Sequence, residues 1–77
     1  MIDPLSPTPL YVQLADLLAA RIECGDLEAG KPLPSESTLR QEYGLARGTV
    51  RAAVRVLRER GLVVTVPQRG TYVLARD

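Results

Sequence analysis

GLARGTVRAAVRVLRER, residues 44–60, carries two unlike stripes once it is wound at about 100° per residue. Val50, Ala53, Val54 and Leu57 fall at i, i+3, i+4 and i+7, which puts four apolar groups on one side of a helix. Arg47, Arg51, Arg55 and Arg58 form a second row, roughly a quarter-turn or more away. Four guanidiniums so spaced repel one another and weaken the helix unless something anionic lies near; a polyanion would relieve the strain. Most arginine rows are only solvated helix faces, so the flanking sequence has to decide. It does. A Gly44-Leu45 break precedes the helix, and a short apolar-patterned segment, residues 35–43, precedes the break. Two short helices about a glycine-containing turn, the second cationic at its front, is the layout of a helix-turn-helix.

Working back from that turn, Ser35 is a good N-cap and Glu36 suits the first turn of a helix spanning residues 36–43, with Leu39 and Tyr43 facing inward. Ser35, Ser37 and Thr38 cluster at its start, where free backbone N–H groups can hold a phosphate, although plain capping explains the hydroxyls equally well. Ala46, at the corresponding place before the cationic helix, offers no side-chain acceptor and makes a weak cap. Residues 25–34, GDLEAGKPLP, form a connection that no helix can occupy, since a residue before proline is biased away from helix; Leu27 and Leu33 should tuck back toward the core. Leu10, Leu14, Leu17, Leu18 and Ile22 repeat with a helical period, predicting a first helix over residues 10–24 with a stripe wide enough for two packing partners. Residues 1–9 hold three prolines and no period, and read as an extended arm.

Working forward, Gly61 ends the cationic helix and the period changes to two. Leu62, Val64 and Val66 alternate with Val63 and Thr65, and strand character resumes over residues 71–75. Pro67-Gln68-Arg69-Gly70 between them predicts a β-hairpin with a four-residue turn, which must pack on the helices to be stable. The expected fold is therefore α+β: a winged helix-turn-helix of three helices followed by a two-stranded wing, over residues 10–75.

Seventy-seven residues make a single domain with a modest core. The net charge of +1 is unremarked by itself, but its distribution is uneven. Residues 1–39 hold Arg21 and Lys31 against six carboxylates, and residues 40–77 hold eight arginines against three, so the halves carry −4 and +5. With no histidine and one cysteine, the chain can form no internal disulfide and holds no nitrogen–sulfur ligand cluster, so no metal and no cofactor are expected. Cys24 reads as a small buried apolar group in a reducing compartment. No apolar run approaches the ~20 residues of a membrane span, and no signal pattern opens the chain, so a soluble cytoplasmic location is expected.

Four ordered blocks, PLYVQ (residues 9–13), GDLEAGKPLPSE (25–36), GLARGTVRAAVRVLRERGLV (44–63) and RGTYV (69–73), together resemble the DNA-binding domain of the GntR family of bacterial transcription regulators, with the opening and the LPSE block closest to its HutC-type and YtrA-type branches. The resemblance implies a regulator, most often a repressor, bound as a homodimer to a pseudo-palindromic DNA operator. By position, Arg47 and Arg51 correspond to base-reading arginines. Gly48, Thr49, Ser35 and Ser37 match positions close to the phosphate backbone, and Gln68, Arg69, Gly70 and Thr71 match a wing tip at the minor groove. Arg40, Arg55 and Arg58 would see phosphate or solvent. Three positions depart from the family pattern: Ser37 where some members carry a DNA-touching arginine, Ala46 where a capping hydroxyl is usual, and Pro67-Gln68 where a glycine more often precedes the arginine. Family members also carry a C-terminal domain that binds a small metabolite, so an effector is expected only if the full-length protein has one.

A rival reading is a winged helix used for protein docking or dimerisation, in which the arginine face meets an acidic partner. An enzyme has little support: there is no histidine, no apolar-set carboxylate pair, no phosphate-binding glycine loop and no nucleophile elbow.

Overall fold

In the computed structural model, which describes residues 2–74, the apolar stripe of the cationic helix lies at the centre of the molecule. Three helices, α1 (Leu10–Glu23), α2 (Glu36–Tyr43) and α3 (Arg47–Glu59), precede two strands, β1 (Val63–Val66) and β2 (Gly70–Val73). Val50, Ala53, Val54 and Leu57 of α3 are all buried, as the spacing predicts. Against them lie α1, α2 and β1, so α3 is the element on which the others pack, and α1 packs chiefly on α3 instead of on the two partners expected from its stripe. Although α1 has a wide stripe, only Leu14, Ala15, Leu18 and Ile22 are fully sequestered, and Leu10 and Leu17 stay half-exposed. Each fully buried leucine (Leu14, Leu18, Leu39, Leu57) contributes about 1.5–3 kcal/mol of transfer free energy.

The helix ends follow local chemistry. Ser35 accepts a hydrogen bond from the Thr38 N–H and caps α2, while Ala46 gives α3 no side-chain cap. Gly44 takes a left-handed φ of 66° to turn the chain from α2 into α3. At the other end of α3, Gly61 (φ 76°) donates to the Arg58 carbonyl and Leu62 to that of Leu57, the paired bonds of a Schellman motif. That motif delivers a buried Leu62 directly into the hairpin.

The hairpin pairs Val63 with Val73, Val64 with Tyr72, Thr65 with Thr71 and Val66 with Gly70. Its connection is three residues, not the four expected: Arg69 N–H bonds the Val66 carbonyl, Gln68 takes a φ of 65°, and Gly70 already pairs. The inward face carries Val63 and Val73, and Val64 points outward. Tyr72 and Val73 pair on their other side with the proline-rich connection: Leu33 N–H bonds the Thr71 carbonyl, Val73 N–H that of Lys31, and Gly30 N–H that of Val73. This backbone link buries Leu33 and half-buries Leu27, as expected of both. Ala75, the expected last residue of the second strand, lies outside the described residues.

Two further expectations are corrected. Residues 2–9 do not run out as an extended arm; the chain turns at residues 3–6, and the Gln13 side chain accepts from the Asp3 N–H (2.7 Å) and donates to the Asp3 (2.9 Å) and Thr8 (2.7 Å) carbonyls. Prolines suppressed any regular period there, but one glutamine amide folds the segment onto α1. Cys24 is exposed, because it sits at the end of α1, about 200° around the helix from buried Ile22. Arg21, half-buried, joins α1 to α2: its Nε meets Asp26 at 2.7 Å, and its Nη1 meets the Tyr43 hydroxyl at 3.1 Å and Glu42 at 3.3 Å. The Asp26 and Tyr43 bonds hold its pKa above the usual arginine range, so it stays charged at every working pH.

Candidate nucleic-acid interface

The packing of α3 through one stripe leaves its arginines outside, and α2 and the hairpin stand on either side of them. Arg47, Arg51, Arg55 and Arg58 are all exposed. Three of the four have partners. Arg47 Nε lies 3.6 Å from one Glu36 oxygen and Arg51 Nε 3.3 Å from the other, so a carboxylate from the first turn of α2 sits between two guanidiniums that would otherwise repel. Arg58 Nη1 donates to Thr65 Oγ1 at 3.0 Å, which in turn meets Thr71 Oγ1 at 3.1 Å across the hairpin. Two of the four guanidiniums thus already share an anion that the fold supplies.

A groove of about 520 Å³ opens between the start of α2, the middle of α3 and the wing. Ser35, Arg51, Arg69, Gly70 and Thr71, five of the eleven residues expected at the site, line it together with Glu36, Arg58 and Thr65. Arg47 adjoins it through Glu36. Gly48 and Thr49 lie on the first turn of α3 and Ser37 on that of α2, outside the groove's lining. Arg40 is exposed on α2 and Gln68 at the hairpin tip, also off the lining; neither side chain has a hydrogen bond or ion pair among the described residues. Ser35 Oγ accepts from the Thr38 N–H and donates to Thr38 Oγ1 (2.9 Å), so its hydroxyl caps α2 and leaves the backbone N–H groups of Glu36 and Ser37 without a partner among the described residues.

Sequence reasoning missed Glu36 as a partner of the arginines and Thr65 as part of the wing's inner edge. The pair Thr65–Thr71 was available in principle, since both lie within the predicted strands, but a four-residue turn puts them out of register. No local signal links Glu36 to residues eleven and fifteen positions later.

The charge is organised as well as exposed. Arg60 is drawn away from this side, its Nη1 2.9 Å from Asp16 Oδ1 on α1, and Arg21 is engaged by Asp26 and Glu42. Among the described residues, Arg40, Arg55 and Arg69 remain as arginines without a protein partner, with Arg47, Arg51 and Arg58 held only at one edge. Such a surface can bind phosphates and present guanidinium forks at once. Among the described residues, no group of histidine, cysteine and carboxylate side chains could hold a metal, and no helix is long and apolar enough to cross a membrane.

Residues 10–73 match the family described as bacterial regulatory proteins, gntR family. The chain is 45% identical over 65 residues, 84% of its length, to the mannosyl-D-glycerate transport/metabolism system repressor MngR of Escherichia coli (strain K12), of which it spans only 27%. Among solved structures, YtrA from Sulfolobus acidocaldarius, a GntR-family transcription factor, superposes with a TM-score of 0.88 at 35% identity, covering 100% of this chain and 81% of that one. The DNA-binding domain of AraR in complex with operator ORX1 superposes with a TM-score of 0.83 at 32% identity, covering 95% and 90%.

Proposed function

Because the chain belongs to the GntR family of bacterial regulatory proteins, we propose that it is the DNA-binding domain of a transcription regulator, most often a repressor in this family, and no enzyme. The observation that carries the proposal is the exposed arginine edge of α3, flanked by the start of α2 and by the wing. The likeness to a domain bound to its operator supports DNA over an acidic protein as the partner of that edge.

The front of α3 enters the major groove, and Arg47 and Arg51 each offer a terminal fork to a guanine, worth about 1–3 kcal/mol of discrimination apiece. Gly48 and Thr49 let the sugar–phosphate chain pass close, and the N-terminus of α2, with Ser35 and Ser37, meets a phosphate. Arg40, Arg55 and Arg58 add charge without reading sequence. Gln68, Arg69, Gly70 and Thr71 at the wing reach the minor groove. The domain works in the cytoplasm as one of a pair, on a pseudo-palindromic operator whose half-sites lie about one helical turn apart. A small-molecule effector acts on it only if the full-length protein has a C-terminal domain to bind one.

A binding series tests this. Duplexes selected from a random library define the preferred site. Arg47→Ala and Arg51→Ala should flatten preference between that site and its single-base variants by roughly 10–100-fold, whereas Arg69→Ala should weaken all duplexes alike. Unchanged preference in Arg47→Ala would reject the base-reading assignment.

A further inference from the structure

Resting on the assignment of Arg47 and Arg51 as base readers, we propose that Glu36 is the positioning residue that sets both guanidiniums for recognition. Arg47 and Arg51 stand one turn apart on α3, where like charges repel. Glu36, the first residue of α2, places one carboxylate oxygen near each of them, at 3.6 and 3.3 Å. In both pairs the nitrogen facing Glu36 is Nε, and no hydrogen bond to either terminal Nη fork is formed among the described residues. A carboxylate drawn to the Nε side by charge leaves both terminal N–H groups of a guanidinium unoccupied, so they can meet a guanine edge as a parallel pair. Glu36 therefore attracts each arginine on its Nε side and leaves the terminal fork without a protein partner among the described residues.

The placement is also selective by charge. A carboxylate in a phosphate-facing groove lowers affinity for any duplex, because it repels the backbone that the other arginines attract. As a device for stability it is weak: the partners' side chains are 65% and 61% exposed, and ion pairs of that kind contribute about 0–1 kcal/mol. A group that opposes binding in general and adds little to folding is explained by what it does to the difference between duplexes.

Two variants separate position from charge. Glu36→Gln keeps the shape and removes the charge; Glu36→Asp keeps the charge but is one methylene too short to reach both arginines. The probes are the duplex selected by the wild type and a scrambled duplex of the same composition. Glu36→Gln should bind the scrambled duplex roughly two- to fivefold more tightly at low salt. Both variants should lose discrimination between the two duplexes by roughly fivefold or more, the scale of coupling within one charged network. In an Arg47→Ala, Arg51→Ala background, the same Glu36 changes should leave discrimination unaltered, which a purely structural role would not produce. The ¹⁵N Nε–H signals of Arg47 and Arg51 in the free protein should shift in both variants. Discrimination at the wild-type level in Glu36→Asp, or in both variants, would overturn the inference while leaving the base-reading assignment intact. A wild type without preference among duplexes would overturn both.

Discussion

Gly48 has no reason within the protein to be glycine. A Cβ built there meets nothing within 4 Å, and the residue is helical, in the first turn of α3, where alanine is the better former. The missing side chain makes sense if the DNA backbone comes against that turn. Gly48→Ala should accordingly stabilise the free domain by about 0.5 kcal/mol, raising its melting temperature by roughly 2–4 °C, while weakening binding to selected and scrambled duplexes alike. Calorimetry and a binding titration on one preparation check both halves; a more stable variant with wild-type affinity would remove Gly48 from the contact surface. Gln68 is the opposite case. It holds a φ of 65° after Pro67, the position of a type II turn that favours glycine. The family pattern more often carries a glycine in this turn, and the geometry explains why. Gln68→Gly should relieve the left-handed strain, partly offset by greater freedom of the unfolded chain, for a net gain of about 0.5 kcal/mol in denaturant unfolding.

At the scale of the element, α2 hangs on one side chain. Leu39 is its only fully buried residue, with Tyr43 half-buried behind it, and eight residues are too few to be helical alone. Leu39→Ala should cost about 2–5 kcal/mol, and amide exchange should show α2 losing protection first. Specific DNA binding should fall with it, because Ser35 and Glu36 are delivered by that helix. The helices and their caps were legible in the sequence to within a residue, since Ser35, Gly44 and Gly61 act on their immediate neighbours. Contacts that join distant segments were not. Nothing periodic marks Lys31 and Leu33 as backbone partners of β2, or Arg21 as the clamp on Glu42 and Tyr43. The inward face of β1 was ambiguous for a related reason: residues 62–66, LVVTV, are apolar on both faces, and the Schellman turn and a three-residue connection, not the pattern, place Val63 inside. The candidate site was half legible: its cations were visible in one row, but the carboxylate and the threonine hydroxyls that organise them arrive from other elements.

Over the whole molecule, the near-neutral net charge hides a sorting of arginines into two populations. Arg21 and Arg60 are tied to Asp26, Glu42 and Asp16 around α1, and they fasten helices. Arg40, Arg55 and Arg58 lie exposed on α2 and α3 and face phosphates in the proposed complex, and exposed Arg69 on the wing enters the minor groove between them. If each of these four displaces one condensed counterion, a single domain should show a slope of log K against log salt of about −3.6, or about a hundredfold loss between 50 and 200 mM salt. Two domains on one operator should double the slope. Arg55→Ala should reduce it by about 0.9 per domain, while Arg60→Ala, whose guanidinium is held 2.9 Å from Asp16, should lower stability slightly and leave the slope unchanged. A docking module would behave otherwise, since an arginine face evolved for a protein partner has no reason to release counterions in register with a duplex. Titrations of one duplex at five salt concentrations distinguish the two: a slope shallower than about −1.5 per domain, or equal effects of Arg55→Ala and Arg60→Ala, would mean that the sorting of charge serves the fold alone.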